Sequence, residues 1–248
     1  MAEPDLSVIV SGHREGRMAV TSLRSMEAAV AAARHAGLVV QTVLVLDRPD
    51  DLTRRLFQAH ADAHSGTLQV EVDAGDQGIA RNEAIGRSDG RRIAMLDADD
   101  LFQQSWLVRA SRFLDEIGDA RVVAHPEFNY FFEGQATIFR QIDQDSPDFD
   151  IDHIRLHNYW DALAMCDRKV HEDHPYAKRD IQNGWAFEDW HFNVLTLGDG
   201  IRHKVVPDTV IFKRRQKDSQ TLRATGNRSR FRRTPMASYS HPIYKQFT

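Results

Sequence analysis

The chain has 248 residues, enough for one large domain or one domain carrying an elaborated second half. Its 42% hydrophobic and 27% charged residues suit a soluble globular protein, and no run reaches the roughly 18 apolar residues of a membrane span. The single cysteine, Cys166, excludes an intrachain disulfide and reads as a small buried hydrophobe in a reducing compartment, and Met1 to Asp5 lack the regions of a signal peptide, so a cytoplasmic location is expected.

Leu6 to Val10 is a short β-branched run that stops at Ser11-Gly12, as a buried strand would. Val20, Leu23, Met26, Val30 and Ala33 then recur at helical spacing, with Gly37 placed to end the helix. Val39 to Leu46 reads as the second strand, running into Asp47, and Asp50 or Asp51 can cap the helix containing Leu52, Leu56, Phe57 and Ala61. Thr67 to Val72 alternates with period two and is the third strand; Ile79 to Ile85 has the spacing of a short helix, and Arg92 to Leu96 is the fourth strand. Strands alternating with helices imply crossover connections, hence a mainly parallel sheet covered on both faces. Farther on, His125 to Asp152 reads as an aromatic strand followed by a flexible loop.

The fourth strand ends in three carboxylates, Asp97, Asp99 and Asp100. Two aspartates one residue apart at a strand end can direct oxygens at one hard cation, and that cation can grip a diphosphate. Aspartates also cluster in ordinary turns, where they bond backbone N–H groups. Position favours the ligand site: Ser11 to Glu15, Asp47, Asp97 and Asp99 all follow strands, at the sheet edge where α/β folds bind ligands.

These landmarks, together with Gly78-Ile79-Ala80-Arg81-Asn82-Glu83-Ala84, Trp185-Ala186-Phe187-Glu188-Asp189-Trp190 and Phe212-Lys213-Arg214-Arg215 followed by Ser219, resemble in their order the inverting glycosyltransferases of family 2. The resemblance spans roughly residues 6 to 222. It implies an α/β GT-A (Rossmann-like) fold with a mainly parallel central sheet flanked by helices and an acceptor-binding C-terminal half. Residues 1–102 would be the donor-binding half ending in D-x-D, 103–225 the acceptor-binding and catalytic-base half of the same domain, and 226–248 a basic tail.

The resemblance also implies roles. Asp47 would accept the imide N–H of a uracil, an acceptor-only group facing a donor, although Leu46-Asp47-Arg48-Pro49 departs from the family's usual paired aspartates followed by Gly-Ser. Ser11, His13 and Glu15 would line the nucleoside site, with His13 able to stack there. Gly78, Arg81 and Asn82 would shape the donor site, Arg81 either offering its fork to phosphate or pairing with a carboxylate. Asp97 and Asp99 would hold Mn2+ or Mg2+ against the diphosphate, Asp99 as the direct ligand, while Asp100 would cap the helix starting near Gln103. Asp189 would be the general base, with Glu188 as second choice. Arg214 or Arg215 would steady the departing diphosphate. Trp185 and Trp190 would form either a sugar-stacking wall or core packing.

Two features stand outside the resemblance. His153, His157, His171 and His174 form no tight metal motif and read as surface or core histidines. Charge is uneven: Ile201 to Thr248 carry twelve Lys or Arg against two Asp, a net of +10 that leaves −14 on residues 1–200 of a chain whose total is −4. Such a basic end suits an anionic partner, here a substrate diphosphate or the inner face of a membrane met peripherally through Arg223 to Arg233, and no nucleic acid is expected. From Asn227 onward a solvated, partly disordered tail is expected.

The implied reaction moves a sugar from a nucleotide-sugar donor, UDP favoured, to a hydroxyl of a glycan or lipid-linked saccharide. The alternatives are a nucleotidyltransferase acting on sugar phosphates and a noncatalytic nucleotide-binding scaffold of the same fold. Ser11 to Arg17 only partly matches the Gly-rich basic loop of the first, and the second has no chemical need of both Asp97/Asp99 and Glu188/Asp189.

Overall fold

The computed structural model describes residues 3–134, 136–215 and 220–247. Four strands, β1 (Leu6–Gly12), β2 (Val40–Asp47), β3 (Leu68–Val72) and β4 (Arg92–Asp97), pair in parallel in the order β3-β2-β1-β4. Every residue of β1 is buried, as the central strand of a sheet covered on both faces requires.

Right-handed crossovers dictate where the helices go. Helices α1 (Met18–His35) and α2 (Asp51–Ala63) step the chain from β1 outward to β3, whereas α3 (Gln77–Gly86) brings it back past β1 to β4, so α3 covers the opposite face. Accordingly α1 packs against α2 and against α4 (Trp106–Ile117). On the other face α3 packs against α5 (Arg168–Asp173). Strand order reverses between β1 and β4, and the crevice beyond their C-terminal ends is where such sheets receive ligands. Asp50 caps α2, accepting the Thr53 N–H at 2.7 Å.

The second half extends the same sheet. Strand β8 (Met165–Asp167) pairs antiparallel with β4 and with β6 (Val122–Phe132), and β9 (Arg202–Arg214) runs parallel to β6. Three short strands were not expected from the sequence. They are β8 itself, β5 (Leu101–Phe102), antiparallel to β9, and β7 (Thr137–Arg140), which folds back on β6 where a loop was expected.

The C-terminal segment is not the solvated tail expected from Asn227. Met236, Ile243 and Tyr244 are buried in a second core with Ile154, Trp160, Val194 and Leu197. Three apolar residues scattered among polar ones carry no periodic signal, so only packing reveals them. Cys166 is buried in β8, and burial pushes its thiol pKa far up, in keeping with an inert core residue.

Candidate functional site

Two clefts open at the C-terminal edge of the parallel strands. The smaller, about 280 Å3, is lined by Ser11 to Glu15, Asp47, Arg48, Gly75 to Gln77, Ala80 and Arg179. Its floor depends on Gly12, where a Cβ would stand 2.6 Å from the Phe57 ring. Asp47 organises one wall: its carboxylate accepts the N–H groups of Ala74 and Gly75 at 2.9 Å and of Asp76 at 2.7 Å. A carboxylate has about four acceptor positions, so one remains for a further donor. Asp76 in turn caps α3 through the Ile79 N–H at 2.9 Å and accepts from the backbone N–H and Nε of Arg179 at 2.9 and 3.2 Å. Across the cleft the His13 ring meets the Asp47 carbonyl, and the His13 N–H reaches Glu15 at 2.6 Å.

Asp97 sits where the clefts meet. Its Oδ1 accepts from Ser11 Oγ at 2.9 Å, Gln77 Nε2 at 2.8 Å and Arg81 Nη2 at 2.5 Å. Burial opposes its charge, but Arg81 and Lys213 outweigh burial and hold the carboxyl below its usual pKa. Glu15 shows the opposite balance, pushed up to about 7 by burial and by the charges of Asp99 and Asp97. The charges of Asp97 and Asp99 thus both act on Glu15, and all three side chains offer carboxylate oxygens, the donor type that suits a hard divalent ion.

Arg81 is the hinge between the halves. It is buried, pairing with Asp97 on β4 and, at 3.6 Å, with Glu188 at the start of α6 (Glu188–Gly198). Burial works against the guanidinium, and Asp97, Tyr176 and Glu188 more than restore its charge. Of the two roles expected for Arg81, the carboxylate pair is the one this geometry contains.

The larger cleft, about 580 Å3, is lined by Asp97, Arg81, Glu188 and Asp189 together with Asn129, Phe131, Phe139 and Trp160. Phe187 takes a left-handed conformation, φ 59°, to turn the chain into α6, so that both acids occupy its first turn. Glu188 is committed to Arg81 and, at 3.8 Å, to Arg179. Asp189 has the Asn158 amide at 3.4 Å and, among the described residues, no ion pair, and burial, Glu188 and Asp161 push its pKa up to about 7. A carboxylate held there is poised to take a proton near neutral pH.

Several expected residues have other work. Asn82 spends both ends of its amide on the Tyr176 backbone, at 2.9 and 3.0 Å, and fastens the second half to α3 instead of reaching a donor. Gly78 lines neither cleft; a Cβ there would be 3.1 Å from Tyr176 Cβ and 3.2 Å from Glu188 Cγ, so its smallness serves the packing of the two halves. Asp100 caps no helix: it is buried between the Arg214 N–H and Lys213 Nζ, both at 2.8 Å, while Ser105 precedes α4. Arg214 borders the larger cleft, but its guanidinium is engaged by Glu133, the Asp99 carbonyl at 3.0 Å and Thr21 at 3.3 Å. Arg215 also borders that cleft and lies over the Phe131 ring. Trp190 donates to the Ile154 carbonyl at 2.6 Å and packs on Phe231; neither it nor Trp185 lines a cleft, so Trp160 and the phenylalanines supply the apolar wall. Ser219 lies outside the described residues.

Four residues went unassigned in the sequence. Gln77 and Arg179 border both clefts. Lys213 bridges Asp100 and Asp161 at 2.8 and 3.1 Å, and these acids with Asp97 hold its ammonium well above the usual range despite burial. Asp161 adds negative charge beside Asp189. Gln77 had a signal, its place one residue before the glycine of the A-R-N stretch; Arg179 and Asp161 lie in irregular loops and had none.

No helix among the described residues is long and apolar enough to cross a membrane. In fold the chain is similar to S. aureus TarS residues 1–349 in complex with UDP, with TM-score 0.66 and 17% identity over 86% of this chain and 61% of that one. It is also similar to the mannosyltransferase PcManGT from Pyrobaculum calidifontis in complex with GDP-Man and Mn2+, with TM-score 0.62 and 18% identity over 90% of this chain and 60% of that one. These likenesses match the GT-A architecture, whose mostly parallel sheet and edge clefts are those described above. In sequence it is 33% identical over 115 residues to the succinoglycan biosynthesis protein ExoO of Rhizobium meliloti (strain 1021), covering 46% of this chain and 31% of that protein. The chain therefore spans about a third of that relative and about 60% of the two solved structures. Residues 7–174, which carry the parallel strands, the Asp97 cluster and the helix bearing Arg81, match the model of glycosyl transferase family 2, and the chain belongs to that family.

Proposed function

We propose that the chain is an inverting glycosyltransferase that moves a sugar from a nucleoside diphosphate sugar, UDP-linked by preference, to a hydroxyl of a glycan or lipid-linked saccharide. The observation that carries this reading is the meeting of two clefts at Gln77 and Arg179, with the ionised Asp97 at the junction and Asp189 in the larger cleft beyond it. The smaller cleft takes the nucleoside, between His13 and the one acceptor position left on Asp47. The sugar projects into the larger cleft, where the rings of Phe131 and Phe139 in its lining can pack against a pyranose.

Asp99 and Asp97, with Glu15 beside them, are the residues that would hold Mn2+ or Mg2+. Three donors already occupy Oδ1 of Asp97, leaving its second oxygen, and the all-oxygen set fits either ion. When bound, such an ion offsets the charge developing on the departing diphosphate. Arg179 and Arg215 add positive charge along the same path. Asp189 removes the acceptor hydroxyl proton as that oxygen attacks the anomeric carbon from the face opposite the leaving group. Arg81 positions both halves by holding Asp97 and Glu188 together.

In this reading residues 1–102 bind the donor and 103–225 the acceptor, while the basic segment Arg223 to Arg233 would bring the enzyme to an anionic membrane bearing the acceptor. Arg230 and Arg233 are exposed there, whereas Arg232 is tied to the Lys178 carbonyl at 3.0 Å. The test is a donor screen by mass spectrometry with Mn2+ or Mg2+ present. Turnover of a nucleotide sugar, with UDP donors foremost, is expected. No turnover or binding of any UDP, GDP or dTDP sugar would overturn the proposal.

A further inference from the structure

On the helical layer away from both clefts, Glu27, His60 and His64 converge. Glu27 lies midway along α1, His60 in the last turn of α2 and His64 at its C-cap. His60 Nδ1 stands 3.2 Å, and His64 Nε2 2.9 Å, from the same oxygen of Glu27. One ligand atom from each residue lies within 4.8 Å of the other two. Ligands held about 2.0–2.1 Å from a tetrahedral ion are about 3.3 Å from one another, so these nitrogen–oxygen spacings approach those of neighbouring corners. The i, i+4 spacing puts both rings on one side of α2, with centroids 4.3 Å apart. The His60 side chain is 8% exposed and that of His64 45%, which leaves a solvent-facing side where water can complete the set.

Hydrogen bonding at His64 gives the second argument. Its Nδ1 is 2.9 Å from the His60 carbonyl, and a carbonyl only accepts, so Nδ1 carries the proton and the neutral ring presents a bare lone pair at Nε2. That lone pair faces a carboxylate oxygen at 2.9 Å, acceptor against acceptor, a contact that repels unless a cation or proton lies between them. Metal-bound histidines are oriented in the same way, one ring nitrogen donating to a backbone carbonyl and the other turned to the ion.

We propose that Glu27, His60 and His64 form a binding site for a divalent transition ion of the zinc class, which cross-links α1 and α2. Two imidazoles distinguish it chemically from the all-oxygen cluster at Asp97 and Asp99, which suits Mg2+ or Mn2+. Because α1 follows the His13–Glu15 loop and α2 follows the Asp47 loop, the ion would tie together the helices that begin at the two walls of the smaller cleft.

The test uses the full-length, tag-free chain, stripped with EDTA and titrated with zinc chloride alone against a chromogenic chelator at pH 7.5. Cobalt absorption, which reports tetrahedral nitrogen and oxygen ligation, is recorded in parallel. One tight ion per chain is expected. Glu27→Gln and His64→Gln, both at partly exposed positions where folding can be verified by circular dichroism, should each weaken it at least about tenfold and abolish the cobalt bands. Asp99→Ala should leave it intact. Zinc affinity unchanged in Glu27→Gln and His64→Gln, or no tight zinc at all, would overturn the proposal and leave an ion pair with protonated His64 as the meaning of the contact.

Discussion

With Asp189 as the proposed base, Asp189→Asn isolates the proton-removal step from the other work of the site. The two side chains have the same shape, but an amide cannot accept the hydroxyl proton. With its carboxyl near 7, Asp189 is about half ionised at pH 7, about one tenth at pH 6 and about nine tenths at pH 8. Transfer by the parent should therefore rise nearly tenfold per unit on the acid side and level off above about pH 8. Asp189→Asn should lose at least about 10²-fold in kcat, or about 2.7 kcal/mol of barrier, while keeping nucleotide affinity. The cause of the raised pKa can be tested too. Burial comes first, but Asp161 and Glu188 add like charge, so Asp161→Asn should move the acid limb to lower pH. Loss of fold is a separable outcome by sign. A carboxyl whose folded pKa is raised stabilises the fold below its unfolded value near 4 and loses that contribution as pH rises through about 7. Asp189→Asn should then be at least as stable as the parent at pH 8. The assay is kcat and kcat/KM against pH with the donor found in the screen. Transfer within threefold of the parent, or a flat profile from pH 5.5 to 8.5, would refute the assignment.

UDP with Mn2+ or Mg2+ should raise the thermal midpoint by ligand linkage, and Asp99→Ala should remove the metal-dependent part; a response without metal would count against the donor-site reading. Arg81→Met strands two carboxylates, Asp97 and Glu188, around a buried position and should cost about 3–5 kcal/mol in denaturant unfolding, whereas a surface-like loss below 1 kcal/mol would show that the bridge is dispensable. Truncation before Asn227 removes Met236, Ile243 and Tyr244 from the second core, so the shortened chain should unfold at clearly lower denaturant, and an unchanged midpoint would contradict the packing described. If Arg230 and Arg233 meet a membrane, neutralising both should reduce sedimentation with anionic vesicles in a salt-dependent way.

The parallel half of the fold was legible because its signals are local. A strand buried on both faces must be a continuous apolar run, as Leu6 to Val10 is, and a helix crossing over it must repeat at 3.6, as Val20 to Ala33 does. The carboxylates at the ends of these runs inherit their place at the sheet edge from topology alone, so Asp47, Asp97 and Asp99 could be located, and the order of Asp97, Arg81 and Glu188-Asp189 along the chain pointed to the family. What each group is bonded to depends on partners far away in sequence. Asp100 reads as a helix cap until β9 places Lys213 and the Arg214 N–H against it, and Asn82 reads as a donor contact until the Tyr176 backbone occupies both its ends. Asp189 was preferred to Glu188 from the resemblance alone, and only the fold supplies a physical reason, the pairing of Glu188 with Arg81. In the second half the strands β5, β7 and β8 span two to four residues, too few for a period to be read, and the buried residues of the loops around them are fixed by long-range packing. The sequence by itself determined the four parallel strands, their helical crossovers and which edge carries the acids, because these follow from local hydrophobic pattern and chirality. Tertiary structure decided which acids are paired with cations and which carboxyl is pushed toward neutral pH, because ionisation and hydrogen bonding are set by neighbours the chain brings together only when folded.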